Sequence, residues 1–413
     1  MNATSKYLVF LTMLLLPFAQ IRIMLFGVPI YVPEALISCL SVAFCIAVRT
    51  GDISIRRVPR LVVAGNAFLL LGAVISSASS GFSVMELGAL KSWIVFPMAF
   101  GYLVFQTMAD GNDRRRMIGF WYIGIVLTAT VSLLPFPFVK ETYDGRLASF
   151  FPSPNHLAFF LEPGILLAAF LSVESAGRRF FRVAIFSMVG AIPVVIALTR
   201  TASLGAMVAT AAALSVFFSM WFFSRVVRVR LGLAALCVLA MVASYSIPQA
   251  DIAKMGAGVV RTSIASRVMI WSASARMLAS HPIFGIGLRN FEREYLALQS
   301  EFPPYLEWAV PHPHNIVLAL WLMTGAMGLA GFALLAAGLF RGSRSAYSCA
   351  VESSDRLLSI TSLAFLLLFM IHGLVDTPFF RNDLSTGFFA VAGSILAFQR
   401  PKYPVRDGAK AVA

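Results

Sequence analysis

The sequence predicts an all-α polytopic membrane protein of about 12 transmembrane helices, with a helical extracytoplasmic cap between spans 9 and 10. Three observations predict it. Of 413 residues, 59% are hydrophobic and 13% are charged, about half the charged share of an ordinary soluble domain. The mean hydropathy is +0.82. The apolar residues also fall in stretches of about 17 to 25, each long enough to cross ~30 Å of hydrocarbon. Intrinsic disorder, collagen-like repeats and a disulfide scaffold are excluded, because the polar or cysteine-rich compositions they need are absent.

The spans are expected at about 7–26, 32–48, 61–77, 88–107, 117–137, 155–173, 183–199, 201–223, 231–248, 315–340, 357–375 and 384–399. A cytoplasmic N-terminus puts 21 of the 33 Lys and Arg inside with only 7 acidic residues, and the other 12 basic residues meet the other 12 acids outside. The positive-inside rule therefore accounts for the whole +14 excess. No nucleic-acid partner is needed to explain it. Both termini are expected in the cytoplasm. The first span has one Lys before it and no small-residue cleavage site followed by a polar domain, which reads as a retained signal anchor. Cys39, Cys45 and Cys237 lie in spans and Cys349 in a cytoplasmic loop, so no disulfide is expected, and no CxxC pair suggests a redox or metal site.

Most connections are short, but the one from Pro248 to His314 runs for about 65 residues on the outer side, and a loop of that length in a compact bundle is usually functional. Ser263 to Leu278 has apolar residues at helical spacing, with Ser263 or Ser266 available as N-cap. His281-Pro282 ends that helix, Phe284-Gly285-Ile286-Gly287 makes a turn, and Asn290 to Gln299 can form a second short helix.

Polar residues at membrane depth are the next signal, since a charge there costs from about 2.5 kcal/mol upward unless it snorkels or is paired. Arg200 stands between two apolar segments, either as a functional cation or as a turn residue reaching the lipid headgroups. Lys91 poses the same choice near the outer end of span 4. Pro311-His312-Pro313-His314-Asn315 places two of the five histidines within three residues at the outer boundary, where Asn315 can cap span 10. A metal site there is disfavoured, because His312 and His314 have no Cys or acidic partner at ligand spacing. His372 and Asp376 are four apart, and on one helical face the carboxylate could fix the imidazole tautomer. Arg146 to His156 leads into span 6 with a further outer Arg and His, and Glu162 lies deeper, just before Pro163-Gly164.

In this order the residues resemble the O-antigen ligase family of bacterial membrane glycosyltransferases, which includes related polysaccharide polymerases. The resemblance rests on Arg146 before Phe151 to Asn155, on Thr199-Arg200-Thr201-Ala202, and on Arg267 with Trp271 followed by His281-Pro282 and Gly285-Ile286-Gly287 to Phe291. It continues through His314-Asn315 with Leu318, then Gly325, Gly328 and Gly331, and ends on His372 to Asp376. The chain departs from the family in having Thr199 where Ser is common, and in the additional His312. The resemblance implies a single glycosyltransferase domain over 1–413 in the bacterial inner membrane. Within it, 249–314 is a large periplasmic loop and 400–413 a cytoplasmic tail. It further implies that His314 is the catalytic base and that Arg200 and Arg267 bind the donor diphosphate, with Arg146, Arg289, His312, His372 and Asp376 in second rank.

The chemistry of the residues agrees with that assignment. Moving a glycan off a lipid diphosphate needs a base for the acceptor hydroxyl and cations for the departing diphosphate, and His and Arg supply these. Two guanidiniums can neutralise a diphosphate without a divalent ion, so no cofactor or metal is expected. The implied partners are an undecaprenyl-diphosphate-linked glycan donor, a lipid A-core or glycan acceptor, and membrane lipids. Ligase is the leading reading. A repeat-unit polymerase would use the same donor-side residues. A transporter or flippase also fits 12 spans, but there is no 6+6 internal similarity, and the polar candidates gather at outer ends instead of the midplane.

Overall fold

The computed structural model describes residues 3–25, 28–222, 263–302 and 309–398. Expected span 9 at 231–248, the basic run at 225–230, the first part of the long loop and the tail at 400–413 lie outside the described residues. Eight helices among the described residues are long and apolar enough to cross a membrane, and the only strands described form two short two-stranded hairpins. The chain is thus an all-α polytopic membrane protein.

Helix α1 (Ala3–Leu14) is shorter than expected span 1. Its 12 residues cover about 18 Å at 1.5 Å per residue. Pro17 has no N–H to continue the ladder, so the chain passes through a 3₁₀ turn (Leu16–Phe18) into an antiparallel hairpin of β1 (Arg22–Leu25) and β2 (Val28–Tyr31). Helix α2 (Val32–Arg49) follows directly. Its buried Glu34 accepts from the Tyr31 N–H at 3.1 Å, the Ser92 hydroxyl at 2.5 Å and the Lys91 ammonium at 2.7 Å. Lys91 is therefore an internal ion-pair partner that ties the hairpin to the next helices, and its Nζ also donates to Pro29 O.

Helix α3 (Arg60–Ser79) packs antiparallel to the long helix α12 (Ile316–Cys349) along a glycine seam. A Cβ on Gly72 would meet Thr324 O at 2.6 Å, and one on Gly65 would meet Leu335 N at 2.6 Å, so only glycine allows this backbone approach. Helix α4 (Val84–Ala89), a π-helical turn (Leu90–Val95) and α5 (Phe96–Thr107) form one continuous span. The turn widens just before Pro97, whose ring would otherwise collide with the carbonyl one turn back. Helix α6 (Gly111–Ser132) starts earlier than expected span 5, because Asp110 caps it and its charged first turn is paired. Asp113 meets Lys6, and Arg115 meets Glu174 and Asp355. It stops before Pro135 and Pro137, and the chain forms a small bulged hairpin of β3 (Lys140–Glu141) and β4 (Leu147–Ser149).

Helices α7 (Pro154–Gly177), α8 (Phe181–Arg200) and α9 (Leu204–Phe222) follow with short connections. The exposed face of α8 carries Phe186, Met188, Ile192 and Val195, an apolar surface suited to lipid. The two helices expected in the long loop are present as α10 (Ser263–Ser280) and α11 (Phe291–Leu298). Helices α13 (Ser353–Gly373) and α14 (Asn382–Ala397) complete the bundle. Between them, Phe379 inserts among Phe332, Phe388 and Phe389 with ring centroids 5.5 to 6.1 Å apart, which anchors the connection 374–381 in the core.

The turn at 282–286 inserts into a break in α12. Gly325 has φ +69, and the freed groups bond across: Ala326 N to Ile283 O at 2.9 Å and Ile286 N to Leu322 O at 2.7 Å. A Cβ at Gly325 would lie 2.6 Å from Ile283 O. Gly325→Ala is expected to destabilise the fold by about 1–3 kcal/mol through left-handed strain and this collision. A lowered melting temperature in nanodiscs checks it, and an unchanged one would mean that the break relaxes freely.

Candidate active site

His314 occupies the last position before the Asn315 cap of α12, with φ +49, a left-handed conformation uncommon for a residue with a Cβ. Several contacts hold it there. Asn315 Oδ1 accepts from the Val317 and Leu318 N–H groups, Asn315 Nδ2 donates to Leu374 O at 2.9 Å, and Trp271 Nε1 donates to His314 O at 3.3 Å. Three segments distant in sequence are thereby fastened around one imidazole.

The partner of that imidazole is Asp376. His314 Nδ1 lies 2.8 Å from Asp376 Oδ1, and the carboxylate is 1% exposed against 23% for the histidine. Asp376 also accepts from Thr377 N at 2.8 Å and from Asn155 Nδ2 at 2.6 Å. Burial by itself would raise its pKa, but the hydrogen-bonded His314 imidazole, with His312 and His372 behind it, holds the carboxyl well below the usual carboxylate range. An ionised carboxylate only accepts, so the neutral His314 ring carries its proton on Nδ1 and presents its lone pair on Nε2.

The pairing expected between His372 and Asp376 is therefore corrected. Helix α13 ends at Gly373, and the turn that follows, with Asp376 N bonded to His372 O at 3.0 Å, carries the carboxylate off the helical face. His372 pairs instead with Glu162 at 2.9 Å, both fully buried, with its ring stacked on Phe159 at 3.6 Å.

Asn155 links the dyad to Arg146, whose Nη2 donates to Asn155 Oδ1 at 2.8 Å and whose Nε donates to Thr201 O at 2.8 Å. Burial lowers the Arg146 pKa, Asp144 opposes that, and neighbouring Arg267 adds to it. Arg267 is bound by its Nε to Val375 O at 2.8 Å, one residue before Asp376. Arg200 lies next to Thr201, but its half-exposed guanidinium is paired with Glu141 on the small hairpin. The structure thus gathers Arg146, Arg267, His312, His314 and Asp376, with Arg200 oriented toward Glu141.

Arg289 serves elsewhere. It lies over Trp93 at 5.4 Å, and its N–H donates to the buried Glu86 at 2.9 Å. Glu86 also accepts from Ser77 Oγ, Leu288 N and Asn290 Nδ2, so it fastens the cap to the membrane helices. Sequence reasoning gave no role to Glu86 or to Arg381, whose Nη1 lies 3.0 Å from His156 Nδ1 and which is paired with Asp383. The signal available for Arg381 was its place among the 12 outer basic residues.

His312 stands edge-on to His314 with centroids 4.6 Å apart. Burial first, and then His314, push its pKa down to about 3, so the ring is neutral near pH 7. Its buried Nδ1 has no hydrogen-bond partner among the described residues. His312, His314 and Asp376 each offer a ligand atom, all within 4.8 Å of one another, so the acidic partner missing at local spacing is supplied from across the bundle.

Fold and site define a multi-pass membrane protein with a His–Asp dyad and arginines gathered at one end of the helices. Residues 186–333 match the O-antigen ligase family model, the family that the motifs resemble. The match runs from α8 into α12 and covers Arg200, Arg267, His312 and His314. Among curated proteins, none matches the chain. The family match supports glycosyltransferase activity of the ligase or polymerase type, acting on lipid-linked glycans.

Proposed function

We propose that this protein transfers a glycan from undecaprenyl diphosphate to a lipid A-core hydroxyl at the periplasmic face of the bacterial inner membrane, by an inverting reaction that needs no metal. Both termini are cytoplasmic in this reading, and the whole chain acts as one domain with 249–314 as its periplasmic cap. The observation that carries it is the His314 to Asp376 hydrogen bond of 2.8 Å beside Arg267 and Arg146.

His314 Nε2 takes the proton of the acceptor hydroxyl, and the oxygen attacks the anomeric carbon from the face opposite the diphosphate. The bond from that carbon to the diphosphate oxygen breaks. Undecaprenyl diphosphate departs with the bonding pair, its charge met by Arg267 and Arg200, with Arg146 behind them. Arg200 can leave Glu141 for the donor at little cost, since an exposed ion pair is worth about 0–1 kcal/mol. Asp376 stabilises the imidazolium that forms, as a buried carboxylate oriented by Asn155 and Thr377.

The test is transfer of labelled lipid-linked glycan by purified protein, with EDTA present, to lipid A-core or to a second lipid-linked repeat unit. Product on lipid A-core, undiminished by EDTA, is expected. Product only on repeat units would make the protein a polymerase. Product on neither acceptor, with the donor moved across proteoliposomes instead, would replace the enzyme by a transporter.

A further inference from the structure

We propose that His312, His314 and Asp376 form a binding site for a divalent transition metal of the zinc type, and that its occupation silences His314 as a base. The metal-binding half stands on geometry alone. The silencing half rests on the function proposed above.

The ligand set is two imidazoles and one carboxylate, which suits zinc. One ligand atom from each residue lies within 4.8 Å of the others, and His314 Nδ1 is already 2.8 Å from Asp376 Oδ1. At bond lengths of about 2.0–2.2 Å, tetrahedral ligands sit roughly 3.3 Å apart, so modest ring rotation closes the set. Pro313 between the two histidines and the φ +49 turn at His314 fix the rings 4.6 Å apart at an interplanar angle of 72°. His312 also brings a buried Nδ1 that makes no hydrogen bond among the described residues. A buried polar atom without a partner is a cost of folding, and coordination through Nδ1 would remove it. The neighbouring cation Arg381 is neutralised by Asp383 at 3.0 Å, while the positive charge of Arg267 and Arg146 opposes cation binding and has to be outweighed by the three ligands.

Silencing follows whichever nitrogen of His314 binds the ion. Through Nε2, the metal occupies the lone pair that would accept the acceptor's proton. Through Nδ1, the metal displaces the proton shared with Asp376, and that proton moves to Nε2. No proton is released in the second case, and the ring facing the acceptor has become a donor.

Cobalt(II) and zinc(II) titrations of the EDTA-stripped full-length protein in nanodiscs test the site. One equivalent of cobalt should give the intense visible absorption of a tetrahedral ion, and zinc should quench it. In His312→Asn the zinc affinity should fall by about 10- to 100-fold or more, whereas the exposed His281→Asn should bind as wild type. Equal zinc affinity in wild type and His312→Asn overturns the site, and so does an octahedral cobalt spectrum in wild type, a readout that needs no variant to fold. With binding established, glycan transfer by wild type should be lost as zinc saturates and return with EDTA. His312→Asn, referred to its own metal-free rate, should need at least tenfold more zinc. Zinc held at the site with no loss of rate overturns the silencing. Failure of the base assignment shows separately, as full metal-free activity in His314→Ala.

Discussion

Glycan transfer by His314→Ala is expected to fall by about 10²–10⁴-fold in turnover, the usual worth of a positioned general base, while the protein still binds its lipid-linked donor. Asp376→Asn should lose nearly as much. An asparagine at that position can present its NH₂ to Nδ1, which would hold the proton on Nε2 and point a donor at the acceptor hydroxyl. The double variant should be little worse than either single one, because two residues that act as a unit are not additive. Turnover at saturating donor is the measurement. Losses in the two single variants that multiply in the double variant would mean that Asp376 acts independently of the imidazole. Full activity in His314→Ala would end its assignment as base. Purification yield and melting temperature guard against a trivial loss, since Asp376 is also bonded to Thr377 and Asn155.

Much of the molecule is legible in the sequence because apolar length and helical periodicity are local properties. The helix expected over 263–278 is present as Ser263–Ser280, and the turn before Phe291 falls where the glycines are. Asn315 caps its helix as its position implies. Local reasoning breaks down where two elements compete for the same few residues. Pro17 and the hairpin behind it shorten the first span, which composition alone cannot reveal. At the site, spacing points to His372 as the partner of Asp376, because four residues make one helical turn. The partner is instead His314, 62 residues away, because α13 stops at Gly373 and the aromatic anchor Phe379 sets the course of the connection. Asn155 is the same kind of case: its role as the link between Arg146 and Asp376 depends on contacts across 9 and 221 positions of the chain. Lys91 is resolved only by seeing Glu34 beneath it.

The arginines should separate from the dyad in kinetics. Arg267→Ala is expected to lower turnover over donor KM by about 10²–10³-fold, the order found when a preorganised donor to developing charge is removed. The loss belongs in both parameters, because a diphosphate carries charge in the ground state and gains more as the glycosyl bond breaks. Arg267→Lys should recover little of it. The guanidinium is anchored through its Nε to Val375 O at 2.8 Å, and its planar fork presents donors in a fixed geometry that a single ammonium cannot reproduce. Arg200→Ala should show a similar loss, but Glu141→Gln should leave or improve donor affinity, since it frees the guanidinium from its resting partner. Arg146→Ala adds a diagnostic. If Arg146 meets only the diphosphate, its loss raises donor KM alone. If it also orients Asp376 through Asn155, turnover falls as well, and Asn155→Ala reproduces the turnover part with donor KM unchanged. Donor KM and turnover measured across Arg146, Asn155 and Arg267 variants thus resolve which cations hold the leaving group and which one sets the base. Unchanged kinetics in both Arg267→Ala and Arg200→Ala would move the diphosphate to another part of the molecule.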